Sequence, residues 1–342
     1  MLQRLFIFCI CFFLNILSIN IFSNIIGSGS TSSYPFFQKI LNEYSFSENK
    51  LISYSPNSSF QGYNDLINKK VNFASVDMFI NDSLLNKMKD NELLHIPTHV
   101  NALAISFNLT GIKDLNLNSD IISKIYLGEI KFWDNDLIKS LNPSLNLPNL
   151  RIVPLYRKNK SGSTYILSYY LSQTNAAWKS SIGITPLISL DFGLSADNSS
   201  SIANLTEQIE GSISYLGFDY TIDRLNVVSL KNQSNLFIKP TIKTISEATN
   251  ITIPDDTRYI ATNTTAKNGY PITTFTWIIF LKDQNDFYSN IDNAIDFKSF
   301  LLWLINDGQI YSKSIGYSPL SKKVRLKAKD IINTMTFKGS KL

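Results

Sequence analysis

Three times this chain places a cluster of hydroxyl side chains just ahead of a helix-patterned stretch: Thr31-Ser32-Ser33, Ser58-Ser59 and Ser161-Gly162-Ser163-Thr164. The first and third follow strand-like runs, Ile25-Ile26-Gly27 and Arg151 to Leu155. Strands ending in hydroxyl- or glycine-rich turns that feed helices describe an α/β chain. Its functional groups should gather at the carboxyl ends of a mostly parallel sheet. A helix start leaves backbone N–H donors unclaimed and carries partial positive charge, so it suits an anion. Taken singly, each cluster is equally an ordinary helix cap.

Two residues lift the combination above capping. Arg157 precedes the third cluster, and Asp77 lies 18 positions past Ser59 in an apolar setting. A guanidinium can pair bidentately with two oxygens of phosphate or sulfate. A carboxylate repels an anion unless that anion brings a proton, as hydrogen phosphate does at neutral pH and sulfate does not. The wrong ligand would be penalised by about 2 kcal/mol or more. Alone, Asp77 reads as a cap or turn residue and Arg157 as half of a surface ion pair.

At 342 residues the chain exceeds one ordinary core, so two domains are expected. A charged fraction of 17% against 44% apolar excludes a disordered chain. Net charge is a mild +5. The basic run Lys322-Lys323-Val324-Arg325-Leu326-Lys327 reads as a solvated helix face ahead of a nucleic-acid or membrane surface. Arg4 followed by an apolar run from Leu5 to Leu14, weakening towards Phe22, fits a secretory leader over residues 1–24, cleaved between 18 and 26. An uncleaved anchor is the alternative, weakened by Asn15, Ser18 and Asn20. Both cysteines lie in this leader, so a mature chain would have neither disulfides nor a Cys-ligated metal.

Catalytic signals are sparse. The two histidines, His95 and His99, straddle Pro97 and read as structural residues ahead of zinc ligands. No Gly-x-Ser-x-Gly elbow, metalloprotease motif or Walker loop occurs. The expectation is a binding protein without catalysis, cofactor or metal. Nine N-x-S/T sequons occur, starting at Asn57, Asn81, Asn108, Asn159, Asn198, Asn204, Asn232, Asn250 and Asn263, which makes a glycoprotein an expectation in a eukaryotic secretory pathway.

Local patterns predict a helix after Pro35 with the stripe Phe37, Ile40, Leu41 and Tyr44, capped by Ser32 or Ser33. A short helix is expected over Tyr63 to Asn68 and a strand over Val71 to Ser75 leading to Asp77. Further strands are expected over Val100 to Phe107, Ser212 to Gly217 and Thr274 to Phe280. Helices are expected over Ile121 to Leu127, Tyr165 to Leu171, Phe297 to Ile305 (closed by Asp307-Gly308) and Ser321 to Met335. Ser234 to Asp256 reads as polar and irregular.

Several segments together form a pattern: Gly27-Ser28-Gly29-Ser30-Thr31, Val71 to Asp77, Tyr126-Leu127-Gly128-Glu129-Ile130-Lys131-Phe132-Trp133-Asp134, Arg157 with Ser161 to Thr164, Gly269-Tyr270-Pro271-Ile272, and Trp303 through Asp307-Gly308-Gln309 to Gly316-Tyr317-Ser318-Pro319-Leu320. In these the chain resembles the phosphate-binding proteins that serve bacterial phosphate ABC importers, from about Gly27 to Leu320. The resemblance implies an α/β, two-lobed periplasmic-binding-protein fold of type 2, each lobe a mixed sheet flanked by helices. Lobe one would comprise 25–98 and 263–342, and lobe two 99–262. Inorganic phosphate would sit between them, held by Thr31, Ser32, Ser59, Asp77, Arg157, Ser161, Gly162 and Ser163. It further implies a secreted or periplasmic monomer that does not bind nucleic acid, with ABC permease subunits as partners where the organism has them.

Departures from the family pattern carry their own expectations. Ser32 replaces a bulky apolar residue and Ser163 replaces Thr, while Lys158 and Lys160 make the rim more positive. Phe60-Gln61 stands where the family has glycines, which would tighten or distort that corner. The alternative is therefore a degenerate module with a structural or cell-surface role; a phosphatase on this fold is the third reading. A glycan on Asn159, whose sequon includes Ser161, would obstruct the cleft, so Asn159 is expected to be unmodified.

Overall fold

The computed structural model describes residues 25–85 and 92–342, so the expected leader lies outside the described residues. The strands that position the site are β1 (Ile25–Gly29), β2 (Ile52–Pro56), β3 (Phe73–Val76), β4 (Leu93–Phe107), β5 (Leu115–Leu117), β6 (Val153–Arg157), β7 (Leu194–Ala196), β8 (Ser212–Gly217), β9 (Asn226–Lys231), β10 (Phe237–Ile238) and β11 (Thr273–Leu281). The longer helices are α1 (Tyr34–Glu48), α2 (Ser59–Ile67), α3 (Ser119–Tyr126), α4 (Gly162–Thr174), α5 (Ser199–Gln208), α6 (Ile242–Ala248), α7 (Ile291–Ile305) and α8 (Lys322–Ile332).

One strand serves two sheets. Leu93 to Ala102 of β4 pair with β11, and Leu103 to Phe107 pair with β8. The strand order β2-β1-β3-β11-β4-β8-β6-β7 thus splits into two halves that share β4. In the first half β1 runs parallel to β2 and β3, while β11 runs antiparallel to β3 and β4. In the second, β6 lies parallel to β7 and β8, and β8 is antiparallel to β4. The sheets are therefore mixed, and the expectation of a mostly parallel sheet is corrected at β4 and β11. Both are buried along their whole length, as strands covered on both faces must be.

Each half has an apolar layer between sheet and helices. Phe37, Phe73, Phe297 and Phe300 fill the first, with Phe73 and Phe297 rings stacked at 6.2 Å. In the second, the fully buried Trp133 donates its indole N–H to Gly211 O at 2.9 Å. The periodic segments form, but α2 starts at Ser59 instead of Tyr63 and β4 at Leu93 instead of Val100, because the cap at Ser58 and pairing with β11 extend them. Helix α1 carries Pro35 in its first turn and buries Phe36, Phe37, Ile40, Leu41 and Tyr44. Helix α8 turns Val324, Ala328 and Ile332 inward, leaving Lys322 and Lys323 exposed and Lys327 on Asp255, so the basic run is a helix face.

Weak local signals were misread. Ser234 to Asp256 is not irregular: it contains β10 and α6, whose cap pairs Thr241 and Thr244 reciprocally. Thr at the third helical position replaces the Glu or Gln that usually reveals such a box. The edge strand β2 went unread because it carries Pro56 and buries only Ile52 fully. Asp307-Gly308 does not close α7; 3-10 turns continue through Asp307–Ile315 and stop at Gly316, whose φ of +83° suits glycine.

Candidate functional site

The carboxyl ends of β1, β3 and β6 converge on Asp77. Its carboxylate accepts four side-chain hydroxyls. Ser30 and Ser32 donate to Oδ2 at 2.6 and 2.7 Å, and Ser33 and Thr276 to Oδ1 at 3.2 and 3.1 Å. Its backbone N–H donates to Ser59 Oγ at 3.2 Å. A carboxylate has about four lone-pair sites, so Asp77 is fully satisfied while only 4% exposed.

The three hydroxyl clusters divide on inspection. Ser58 caps α2 by accepting from Gln61 N, and Ser161 caps α4 by accepting from Thr164 N. The ordinary capping reading is correct for both. The first cluster differs: Ser33 occupies the cap position of α1 but makes no side-chain cap, because its hydroxyl goes to Asp77. That expected cap is corrected; ahead of α1 the Ser32 N–H donates to Ser30 Oγ at 3.1 Å and the Tyr34 N–H to Thr31 O at 3.4 Å.

The turn before α1 is set by residues that sequence reasoning missed. Tyr54 donates to Ser30 O at 2.9 Å, Tyr220 to Thr31 O at 2.7 Å and Tyr317 to Ser32 O at 3.0 Å. Three consecutive carbonyls are thereby held by phenols. In a trans peptide the next N–H points the opposite way, so the amides of 31 to 33 are turned from the phenols. Tyr220 comes from the far half of the molecule. No spacing in the sequence links these tyrosines.

The second half closes from the other side. A Cβ on Gly162, at the start of α4, would lie 2.5 Å from Ser59 Oγ and 2.9 Å from Asp77 Oδ2. Only glycine permits this approach. Ser163 lines a small cavity of about 10 Å³ with Ser32, Asp77, Asn101 and Thr274. Arg157, at the end of β6 and only 3% exposed, donates from one terminal nitrogen to Thr31 Oγ1 at 3.3 Å and from the other to Asp197 O at 2.7 Å. Thr31 Oγ1 also contacts Ser199 Oγ at 3.1 Å. Burial lowers the Arg157 pKa, opposed mainly by Tyr215 and Asp77. Arg157 Nε is buried with no partner among the described residues. Of the nominated residues, Thr31, Ser32, Ser59, Asp77, Arg157, Gly162 and Ser163 adjoin one another across this seam, whereas Ser161 pairs within its own half, with Thr164 and Pro186 O.

The expected distortion at Phe60 is absent. Close backbone approach there is made by Gly62, where a Cβ would lie 2.6 Å from Gly29 Cα. Phe60 instead lines an outer cavity, and Ser59 keeps its contact with Asp77. The sequence signal was Gly62 itself, two positions later than the pattern looked for.

A second carboxylate was also missed. Both oxygens of Asp219, just past β8, are shielded from water. Oδ1 would lie 2.5 Å from a Cβ on Gly217, which also faces Asn101 and Ser32 O. Tyr317 and the local backbone N–H groups moderate its charge, but none meets hydrogen-bond geometry, since Tyr317 gives its proton to Ser32 O. Burial pushes this carboxyl up to about 8, and the Asp77 charge acts in the same direction.

Neither histidine sits beside a nominated hydroxyl. His95 Nε2 accepts from Ile80 N, and His99 packs between Phe36 and Tyr317 with Nδ1 on the Thr98 hydroxyl. Burial pushes both imidazoles down to about 3, so both are neutral. Among the described residues no cluster of three metal-ligating side chains occurs, and no helix is long and apolar enough to cross a membrane.

Comparison with known proteins bears on family and fold. The chain is 26% identical over 308 residues to the phosphate-binding protein PstS of Haemophilus influenzae, covering 88% of this chain and 90% of that protein. It is 26% identical to PstS of Methanocaldococcus jannaschii, covering 82% and 78%. Among solved structures, a high-affinity periplasmic phosphate-binding protein with phosphate bound superposes with a TM-score of 0.73 at 17% identity, covering 91% of this chain and 98% of that one. A phosphate-binding protein from Stenotrophomonas maltophilia superposes at 0.68 and 18%, covering 90% and 93%. The fold is periplasmic-binding-protein-like, and the family described as the PBP superfamily domain matches residues 22–307, so this chain belongs to that family of binding proteins.

Proposed function

We propose that this chain captures one hydrogen phosphate ion between two lobes, 25–98 with 263–342 and 99–262, joined through β4, which changes partners a few residues later, between Ala102 and Leu103. The observation that carries this reading is Asp77, wrapped by four hydroxyls of one lobe and facing Gly162 and the buried Arg157 of the other. Arg157 supplies the charge and two forked donors. Thr31, Ser32, Ser59, Ser161, Gly162 and Ser163 supply hydroxyls and helix-start amides. A protonated ligand oxygen gives its hydrogen to Asp77 by displacing one serine hydroxyl, which then turns to donate to another ligand oxygen. Sulfate has no proton to give. The relatives named as phosphate-binding proteins support the same ligand.

Isothermal titration tests this directly. Phosphate should bind, sulfate should not compete, and Asp77→Asn should shrink the difference between them by about tenfold or more. No heat at millimolar phosphate would sink the reading.

The same reading makes the protein a non-enzymatic monomer that does not bind nucleic acid, exported by its leader and, where such genes adjoin it, serving an ABC permease. Turnover of a chromogenic phosphate ester should be absent. If the host glycosylates, Asn232 should be spared, since it is buried and its amide is committed to Lys267 O. Asn57, Asn159 and Asn198 line the cavity outside Arg157 and should also be spared. Glycopeptide mass spectrometry reads all four sites.

A further inference from the structure

Thr31 is the point at which the second half of the molecule takes hold of the first. Three residues of the second half reach it, each from a different element. Tyr220, in the 3-10 turn Phe218–Thr221 that follows β8, donates to the Thr31 carbonyl at 2.7 Å. Ser199, the first residue of α5, meets the Thr31 hydroxyl at 3.1 Å, and Arg157 at the end of β6 donates to the same hydroxyl at 3.3 Å. Thr31 and Ser199 are both buried, so water does not compete for the contact between them. The other two phenols on this turn, Tyr54 and Tyr317, belong to the same half as the carbonyls they hold. Of the three, Tyr220 alone crosses the seam.

Counting donors shows what each contact does. A hydroxyl has one hydrogen and two lone pairs, and a guanidinium only donates, so Arg157 fills one lone pair of Thr31 Oγ1. If Thr31 spent its hydrogen on Ser199, it could give nothing to an anion. With Ser199 as the donor, both lone pairs are filled and the Thr31 hydrogen is left to turn to an oxyanion. The Tyr220 bond meanwhile occupies the Thr31 carbonyl, a group that would repel an anion if it faced one. Resting on the phosphate reading above, we infer that Ser199 and Tyr220 are positioning residues: Ser199 directs the Thr31 hydroxyl and Tyr220 holds the Thr31 carbonyl, so that Thr31 of the first half becomes an anion donor only when the second half closes on it. Neither residue touches the ligand. Both bonds join protein groups alone, so they add to closure of the two halves, and their loss is read in how fast the ligand leaves.

Stopped-flow kinetics and calorimetry with inorganic phosphate test it. Tyr220→Phe keeps the ring and loses the bond, so release should quicken by about fivefold while association stays within about twofold of wild type. Ser199→Ala should weaken phosphate by about threefold to tenfold in the wild-type background. In a Thr31→Val background, where no hydroxyl is left to direct, the same change should cost nothing further. A residue that merely supports the fold would cost the same in both backgrounds, and equal losses would overturn the role of Ser199. A lower melting temperature of Tyr220→Phe with release and affinity unchanged would overturn the role of Tyr220. Both results leave the phosphate reading intact, since the wild type still binds. A wild-type protein that binds no phosphate would instead remove that reading itself.

Discussion

Asp77 and Asp219 are two carboxylates shielded within the same seam, and the protein treats them oppositely. Asp77 has four hydroxyl donors. Asp219 has no donor in hydrogen-bond geometry, and burial pushes it up to about 8, so it is neutral over most of the physiological range. Burial alone therefore does not define a functional acid. The donors around it do: four hydroxyls hold the Asp77 carboxylate, whereas the Asp219 carboxyl packs beside Gly217 without one.

The largest expected effect comes from emptying the satisfied side. Asp77→Ala removes the shared acceptor of four buried hydroxyls, leaving Ser30 with Ser32 and Ser33 with Thr276, and should cost about 3 kcal/mol in urea denaturation, with loss of phosphate binding. Stability unchanged within error would show that these hydroxyls find other partners and would end the contrast.

Next is Asp219→Asn. The folded pKa lies above the unfolded one, so the stability from its proton is complete below about 4 and is lost as pH rises through about 8. Wild-type melting temperature should therefore fall across that window, and Asp219→Asn should flatten the fall, by about 1–3 kcal/mol at the alkaline end. Parallel curves for the two proteins would show that Asp219 finds a partner or water.

Gly162→Ala separates seam closure from folding. The added methyl meets Ser59 and Asp77, so phosphate affinity should drop about tenfold or more while the melting temperature without ligand changes little. An unaltered dissociation constant would mean that the two halves need not approach so closely.

The smallest change is Tyr317→Phe. It removes the donor to Ser32 O and the nearest hydroxyl to Asp219, and should cost about 1 kcal/mol. A pH profile shifted further upward than in the wild type would show that this phenol moderates Asp219.

Much of this was legible in one dimension. The stripe of α1, the strands β1, β4 and β11, and the hydroxyl clusters announce themselves because helix and strand periodicities are local. Asp77 and Arg157 could be nominated because a lone carboxylate in an apolar run and a lone guanidinium before a hydroxyl cluster are chemically odd. Phe60 was misjudged because the family pattern was compared position by position, whereas the requirement is that some glycine meet Gly29, and Gly62 does so. Thr276, Tyr54, Tyr220 and Asp219 left no local trace, and Tyr317 stood in the family pattern with no role attached.

By itself, then, the sequence determined the strongly periodic helices and strands and nominated residues suited to an oxyanion, since composition and periodicity are properties of neighbours along the chain. Only the tertiary structure decided that Ser33 abandons its cap for Asp77 and that three phenols hold the turn before α1. Those contacts join residues far apart in the chain. Which donor satisfies which acceptor is settled by the closeness of packed elements, and a linear pattern does not carry that distance.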